Sequence, residues 1–405
     1  MNRITEEPAN RLAGSLRIPL CVPEIKGNEW LYVRECLDTN WVSSAGPFVD
    51  RFENMLARRT GAKHAVATVN GTSALHVALL AAGIEPNDEV LVSTLTFIAP
   101  ANAIRYAGAW PVLVDADPET WQMDVARIRN FVEQDCNWRE GRLINVRTNR
   151  QVRAILPVHI LGHPVDMDGL LAIARKYNLL VIEDATESLG ATYRGAPVGC
   201  LGDIGCFSFN GNKIITTGGG GMAVTGHQPW AARMRHLTTQ AKDHPVEYMH
   251  SEVGFNYRLT NIQAAIGCAQ MEKLDEYVAA KRSIARHYES ELAGVPGISP
   301  MPEAKWAFST YWLYTLLVDP EIYGMDSRAL LEALARIGVQ TRPLWQPLHL
   351  GKAHGASRAL GGATAENLNR KALSLPSSVG LSTESVDRIC QLIRTNYKGE
   401  SRGQR

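Results

Sequence analysis

Short apolar runs that alternate with helical patterns predict an α/β protein. Its large domain holds a mainly parallel seven-stranded sheet sandwiched by helices, and a smaller α+β domain follows at the C-terminal end. Three observations carry this. Apolar runs of strand length occur at 64–69, 89–93, 111–115, 153–159, 179–184, 204–208 and 222–225. Between them, residues 73–82, 99–107 and 168–177 have helical spacing, the alternation expected of a parallel sheet covered on both faces. Beyond residues 294–302 the pattern changes to a strand at 312–319 and helices at 327–337 and 384–395.

Taken in order, residues 1–16 form a flexible polar lead-in, 17–295 the large domain and 296–405 the small one. Residues 29–37 read as a helix. A second opens with Pro47 as its first helical residue, repeats Phe48, Phe52 and Leu56 every fourth position and stops before Gly61. A long helical region, 261–292, closes the large domain.

Composition narrows the function classes. With 42 basic and 41 acidic side chains, a net charge of +1 and no run of either sign, the chain lacks the basic patch of a nucleic-acid binder. No apolar stretch approaches a membrane span, and the polar N-terminus has no signal-peptide core. The seven cysteines are odd in number and form no C-x-x-C, which suits reduced thiols in a cytoplasmic protein. Cys200 and Cys206 flank a strand and read as packing residues.

Open α/β sheets bind ligands beyond the carboxyl ends of their strands, so chemistry is sought there. Lys213 follows the run at 204–208 and precedes four glycines, Gly218 to Gly221, that let backbone approach a ligand closely. Lysine is the amine that forms Schiff bases with carbonyl cofactors. Asp184 ends Leu-Leu-Val-Ile-Glu-Asp, where a carboxylate can keep a pyridine nitrogen protonated, as pyridoxal phosphate (PLP) requires. Glu187 is placed to meet the ring's phenolic oxygen, the substrate, or the start of a helix. In Asn70-Gly-Thr-Ser-Ala-Leu75 a strand turns into a helix, whose N-terminus suits a phosphate; Thr72 and Ser73 add hydroxyls that serve equally as caps. Ser208 offers another phosphate donor, and Phe97 either a stacking face or a core ring. Phosphate turn, aromatic, acid and lysine thus follow one another at strand-to-helix junctions of one sheet. The four residues His159, His163, Asp166 and Asp168 match no zinc spacing, so no metal is expected; His159, at a strand end, approaches the cofactor or substrate instead.

These motifs, with Trp41-Val-Ser-Ser-Ala-Gly46, His159-Ile-Leu-Gly-His-Pro-Val-Asp-Met-Asp168, Glu183-Asp-Ala-Thr-Glu187 and Gly254-Phe-Asn-Tyr-Arg-Leu259, resemble the sugar aminotransferases of the DegT/DnrJ/EryC1/StrS family, within PLP fold type I, over residues 18–394. The resemblance implies a homodimer with shared active sites, in which Lys213 carries PLP, Asp184 meets the pyridine nitrogen and Phe97 stacks on the ring. Thr72, Ser73 and Ser208 would hold the phosphate, and Asn256 would reach the phosphate of the partner subunit. It also implies L-glutamate as amino donor and a nucleotide sugar as acceptor, with Arg342 and His349 of the small domain as substrate contacts. Family members that replace the lysine with histidine are dehydratases; this chain keeps Lys213, which favours transamination. Many members have glutamine at Glu187 and Gly-Glu-Gly-Gly at the glycine run. Both departures, with Phe-Asn-Gly-Asn-Lys213-Ile-Ile-Thr-Thr and Thr341-Arg-Pro-Leu-Trp345, resemble the branch that aminates UDP-4-keto-6-deoxy-N-acetylglucosamine for bacillosamine or legionaminic acid. Two rivals lack support: a DNA-binding regulator needs an extra reading module, and a nicotinamide enzyme needs a G-x-G-x-x-G turn that Val69-Asn-Gly-Thr-Ser-Ala does not supply.

Overall fold

Seven strands form the centre of a sheet in the computed structural model, which describes residues 17–399. They are β1 His64–Thr68, β2 Glu89–Ser93, β3 Trp110–Val114, β4 Gln151–Leu156, β5 Leu180–Asp184, β6 Ile204–Ser208 and β7 Gly221–Thr225, in the spatial order β1-β7-β6-β5-β4-β2-β3. The run from β6 to β3 is parallel, whereas β7 lies antiparallel to both β1 and β6. Residues 1–16, the predicted lead-in, lie outside the described residues.

Both faces of the sheet are apolar, as burial under two helical layers demands. Along β2, Val90 and Val92 join one core, with helices Gly71–Ala81 and Ala99–Tyr106, while Leu91 joins the other, with Ile128 and Phe131 of helix Val125–Gln134 and Leu170 of helix Met167–Lys176. Helix Pro47–Thr60 stops at Gly61, whose φ of +79° is the left-handed conformation glycine adopts without strain. Helices Glu29–Asp38 and Pro47–Thr60 pack on helix Asn261–Met271, which starts with a capping box between Thr260 and Gln263.

The elements differ from expectation in four places. The run at 153–159 ends as a strand at Leu156, because Pro157 has no N–H for the ladder. Region 261–292 is two helices, Asn261–Met271 and Leu274–Leu292. At the break, the carboxylate of Glu272 is held by Asn28, Tyr32 and Arg51. The strand at 312–319 shortens to Thr315–Val318, since Tyr311 turns the chain at a φ of +49°. The sheet also grows past its seven strands: the hairpin Cys136–Arg139 and Arg142–Asn145 joins β4, and Ala359–Leu360 pairs with the outer edge of β3.

A second, antiparallel sheet of Ile298–Pro300, Thr315–Val318 and Ala372–Ser374 packs with helices Ser327–Arg336 and Thr383–Thr395. Several connections join the segments before and after residue 296, among them two that tie down element ends. Ile18 exchanges backbone hydrogen bonds with Gly338 and Gln340 (2.8 and 2.9 Å). The carboxylate of Asp115, just past β3, accepts from the N–H groups of Gly362 and Ala365 and so caps helix Ala363–Lys371.

Candidate active site

The carboxyl ends of β5 and β6, the start of helix Gly71–Ala81 and the segments around Phe97, Trp312 and Arg342 enclose a cavity of about 490 Å³. Sequence-predicted residues Thr72, Phe97, Asp184, Glu187, Ser208, Lys213 and Arg342 all line it.

Asp184 reaches the cavity because β5 ends there. The side chain is buried and accepts a hydrogen bond from the N–H of Thr186 (3.1 Å). Burial pushes its carboxyl up, while Thr186 and the Lys213 ammonium oppose the rise. Glu187, one turn on, is pushed up to about 7 by burial, with Lys213 and the N–H of Leu161 (2.9 Å) resisting. The Lys213 Nζ stands 3.7 Å from Glu187 Oε1 and 4.2 Å from the centre of the Trp312 ring. One amine is thus bracketed by two buried carboxyls and an aromatic face.

At the other end of the cavity the backbone forms a cradle. Asn70 caps helix Gly71–Ala81 by accepting from the Ser73 N–H (2.8 Å). Gly71 brings this helix start against β6: a Cβ there would lie 2.9 Å from that of Ser208. Gly221 lets β7 pass beneath, since its Cβ would lie 2.4 Å from the Asn70 carbonyl. Thr72 and Ser208 supply hydroxyls beside the helix N-terminus, an arrangement suited to a phosphate. Phe97 keeps its ring 58 % exposed on the cavity wall, so it is a free face and not a core residue.

Four predicted residues stand away from the wall. Ser73 is buried beneath the helix start, its N–H taken by Asn70. Asn256 is exposed and bridges to Thr239 through its backbone. His159, expected at cofactor or substrate, is wholly buried behind β5: its Nδ1 accepts from the Val165 N–H, so Nε2 carries the proton and donates to Glu183 (3.0 Å). His349, expected at substrate, is held between Thr94 (2.8 Å) and Glu366 (3.1 Å). Both histidines are corrected to structural links, since both ring nitrogens of each are committed. The neighbours of His159 are likewise engaged. His163, pushed down to about 4 by burial, bonds Pro164 and Ala304; Asp166 caps helix Met167–Lys176, and Asp168 pairs with Arg194.

Against known proteins, the sequence pattern of the DegT/DnrJ/EryC1/StrS aminotransferase family matches residues 23–394. The chain belongs to this family. It is 45 % identical over 376 residues to a GDP-perosamine synthase of Caulobacter vibrioides, covering 92 % of this chain and 96 % of that one. A GDP-perosamine synthase of Escherichia coli O157:H7 is 40 % identical over 380 residues, covering 94 % and 98 %. Among solved structures, DesI in the presence of its TDP-sugar product superposes with a TM-score of 0.85 at 27 % identity, covering 96 % and 95 %. The fold is therefore PLP fold type I, the enzyme is a sugar aminotransferase, and PLP is its cofactor. The donor set fits that cofactor: a buried acid for the ring nitrogen, a free aromatic face, a glycine-lined helix start with two hydroxyls for the phosphate, and a lysine between them.

Sequence reasoning missed Trp312 and Leu161, which touch Lys213 and Glu187. Trp312 lies far along the chain in a segment read only as a strand. Leu161 acts through its backbone at a φ of +59°, for which a leucine gives no signal.

Proposed function

We propose that this aminotransferase moves an amino group from L-glutamate to C4 of a nucleotide-linked 4-keto-6-deoxy sugar. The observation that carries the reading is the Asp184–Lys213–Glu187 grouping, open to one cavity that Arg342 also lines. Relatives named for GDP-perosamine support a GDP-linked acceptor. The four-glycine run and Glu187 favour a second reading, UDP-4-keto-6-deoxy-N-acetylglucosamine.

Bound PLP supplies an aldehyde that condenses with amines and a ring that draws electrons from the adjacent carbon. Lys213 anchors it and, once displaced by the donor amine, takes and returns the proton at the substrate carbon that bears nitrogen. Asp184 would hold the ring nitrogen protonated, since a facing positive charge offsets the cost of burying its carboxylate. With PLP bound, Phe97 would cover one ring face, Thr72 and Ser208 would secure the phosphate, and Glu187 would face the phenolic oxygen. Arg342, exposed at the cavity wall, meets anionic groups of the substrates. Active sites are shared in a homodimer, with Asn256 reaching the partner subunit's phosphate site.

The test is an absorption spectrum with and without L-glutamate. A band near roughly 410–430 nm falls while one near roughly 330 nm grows, and Lys213→Ala shows neither. A panel of GDP- and UDP-linked 4-keto-6-deoxy sugars then identifies the acceptor by which one restores the first band. A reconstituted wild type without that band defeats the reading.

A further inference from the structure

Behind the cavity lies a buried cation that the reaction described so far does not use. Lys281, in helix Leu274–Leu292, is 2 % exposed. Its Nζ donates to the backbone oxygens of Trp312 (2.9 Å) and Ser377 (2.6 Å), and the Cys21 thiol stands 3.9 Å away. Among the described residues no carboxylate pairs with it, and burial pushes its pKa down. Taking an ammonium out of water without a counter-charge is costly, so stability alone favours an apolar side chain here.

What the ammonium holds is Trp312, and every polar group of that residue is engaged. Its oxygen accepts from Lys281, its N–H donates to Leu161 (3.0 Å), and its indole N–H donates to the carbonyl of Asn212 (2.6 Å), the residue before Lys213. The two segments that meet here are strained on both sides. Leu161 and Tyr311 are non-glycine residues at φ of +59° and +49°, and a Cβ at Gly162 would press on the Trp312 N–H at 2.9 Å. Strain of this kind persists where the surroundings over-determine it, and it gathers at functional sites.

We propose that Lys281 is a positioning residue for transamination: it pins Trp312 so that the indole face bears on Lys213 and fixes where that amine rests when it is free of the cofactor. The inference rests on Lys213 being the cofactor lysine. An aromatic face favours the charged form of an amine above it. The other groups facing Lys213 are Asp184 and Glu187, with Arg342 on the same cavity wall. Trp312 therefore gives the Lys213 amine a fixed face to rest on, opposite the Glu187 carboxylate 3.7 Å away.

The experiment uses PLP-loaded Lys281→Met, Lys281→Arg and Trp312→Leu, and the double variant Lys281→Met/Trp312→Leu. Four quantities are read: the pH midpoint of the lysine–cofactor absorption band, the saturated rate and the KM of the glutamate half-reaction, and the thermal midpoint, which reports whether each variant is folded. In Lys281→Met the band midpoint moves by at least about half a pH unit. The saturated rate drops about tenfold with glutamate KM within about twofold, and Lys281→Arg recovers most of it. Adding Lys281→Met to Trp312→Leu changes neither quantity further, because one acts through the other. If Lys281→Met does not accumulate folded, Lys281→Gln, which still donates to one carbonyl, takes its place and shows an intermediate shift. A folded variant with unmoved midpoint and rate, or a double variant whose effects add, overturns the proposal. A wild type lacking the band defeats the aminotransferase reading itself, whereas a normal wild-type band with unmoved variants defeats only the role of Lys281.

Discussion

Glu187 is a carboxyl in nearly dry surroundings, pushed up to about 7 from an ordinary value of 4.5. Between those values the native chain holds a proton that the unfolded chain has released, so stability falls as pH rises through this window. Glutamine keeps an oxygen for the Leu161 N–H and carries no charge. In cofactor-free protein, Glu187→Gln therefore unfolds with wild type near pH 4.5. It becomes more stable than wild type by about 1–3 kcal/mol near pH 8, read from urea or thermal midpoints along a pH series. A difference constant with pH contradicts this. Asp184 ends β5, Glu187 follows it by three residues and Lys213 follows β6 by five, so the sequence could bring all three to one edge of the sheet. His159 was misread because a strand-end histidine looks the same in sequence whether it faces a ligand or a buried glutamate. Trp312 was not legible at all, since its contact with the 212–213 segment spans about 100 residues.

At the scale of elements, the glycine run between Lys213 and β7 is not uniform. A Cβ at Gly219 meets nothing closer than the Gln263 side-chain nitrogen at 3.9 Å, whereas one at Gly221 lands 2.4 Å from backbone atoms of Asn70. Gly219→Glu, which restores the Gly-Glu-Gly-Gly pattern of many relatives, is expected to leave the thermal midpoint within about 2 °C. Gly221→Ala forces apart β7 and the start of helix Gly71–Ala81, costs about 2–4 kcal/mol and weakens cofactor binding, measured by PLP titration. Equal effects at the two positions rule out this geometry. The sequence shows four glycines but not which of them is crowded, because crowding depends on β7 crossing beneath Asn70. The direction of β7 was equally hidden: an apolar run gives no sign of which way the chain passes through the sheet.

For the whole molecule, Asp115 is one of the ties between segments far apart in the chain. The carboxylate is fully buried and accepts from Gly362, Thr364 and Ala365 at the start of helix Ala363–Lys371. Asp115→Ala strands those N–H groups and is expected to lower stability by about 2–4 kcal/mol, with faster proteolysis around residues 350–370. Unchanged proteolysis speaks against the tie. The chain also exposes large apolar side chains, including Trp30 (84 %) and Tyr248 (89 %), which suits the proposed homodimer. Light scattering is expected to give twice the 44.5 kDa of one chain, and co-expressed Lys213→Ala and Asn256→Ala chains to regain activity that neither has alone. The change of pattern near residue 300 coincides with the start of the second, antiparallel sheet at Ile298. The crossings by Ile18 and by Ala359–Leu360 were not legible, since a two- or three-residue pairing leaves no periodicity.

The place of β7 between β1 and β6 also sets a timetable. Among the described residues the one strand that pairs with β1 is β7, which leaves the ribosome roughly 150 residues later, or on the order of 10–30 s at ordinary elongation rates. Through that interval the newborn chain carries an apolar strand with both edges open, a template for wrong partners. Synthesis of this enzyme thus includes a waiting period for β1, and its soluble yield is expected to change with the speed of translation across the stretch between Thr68 and Gly221.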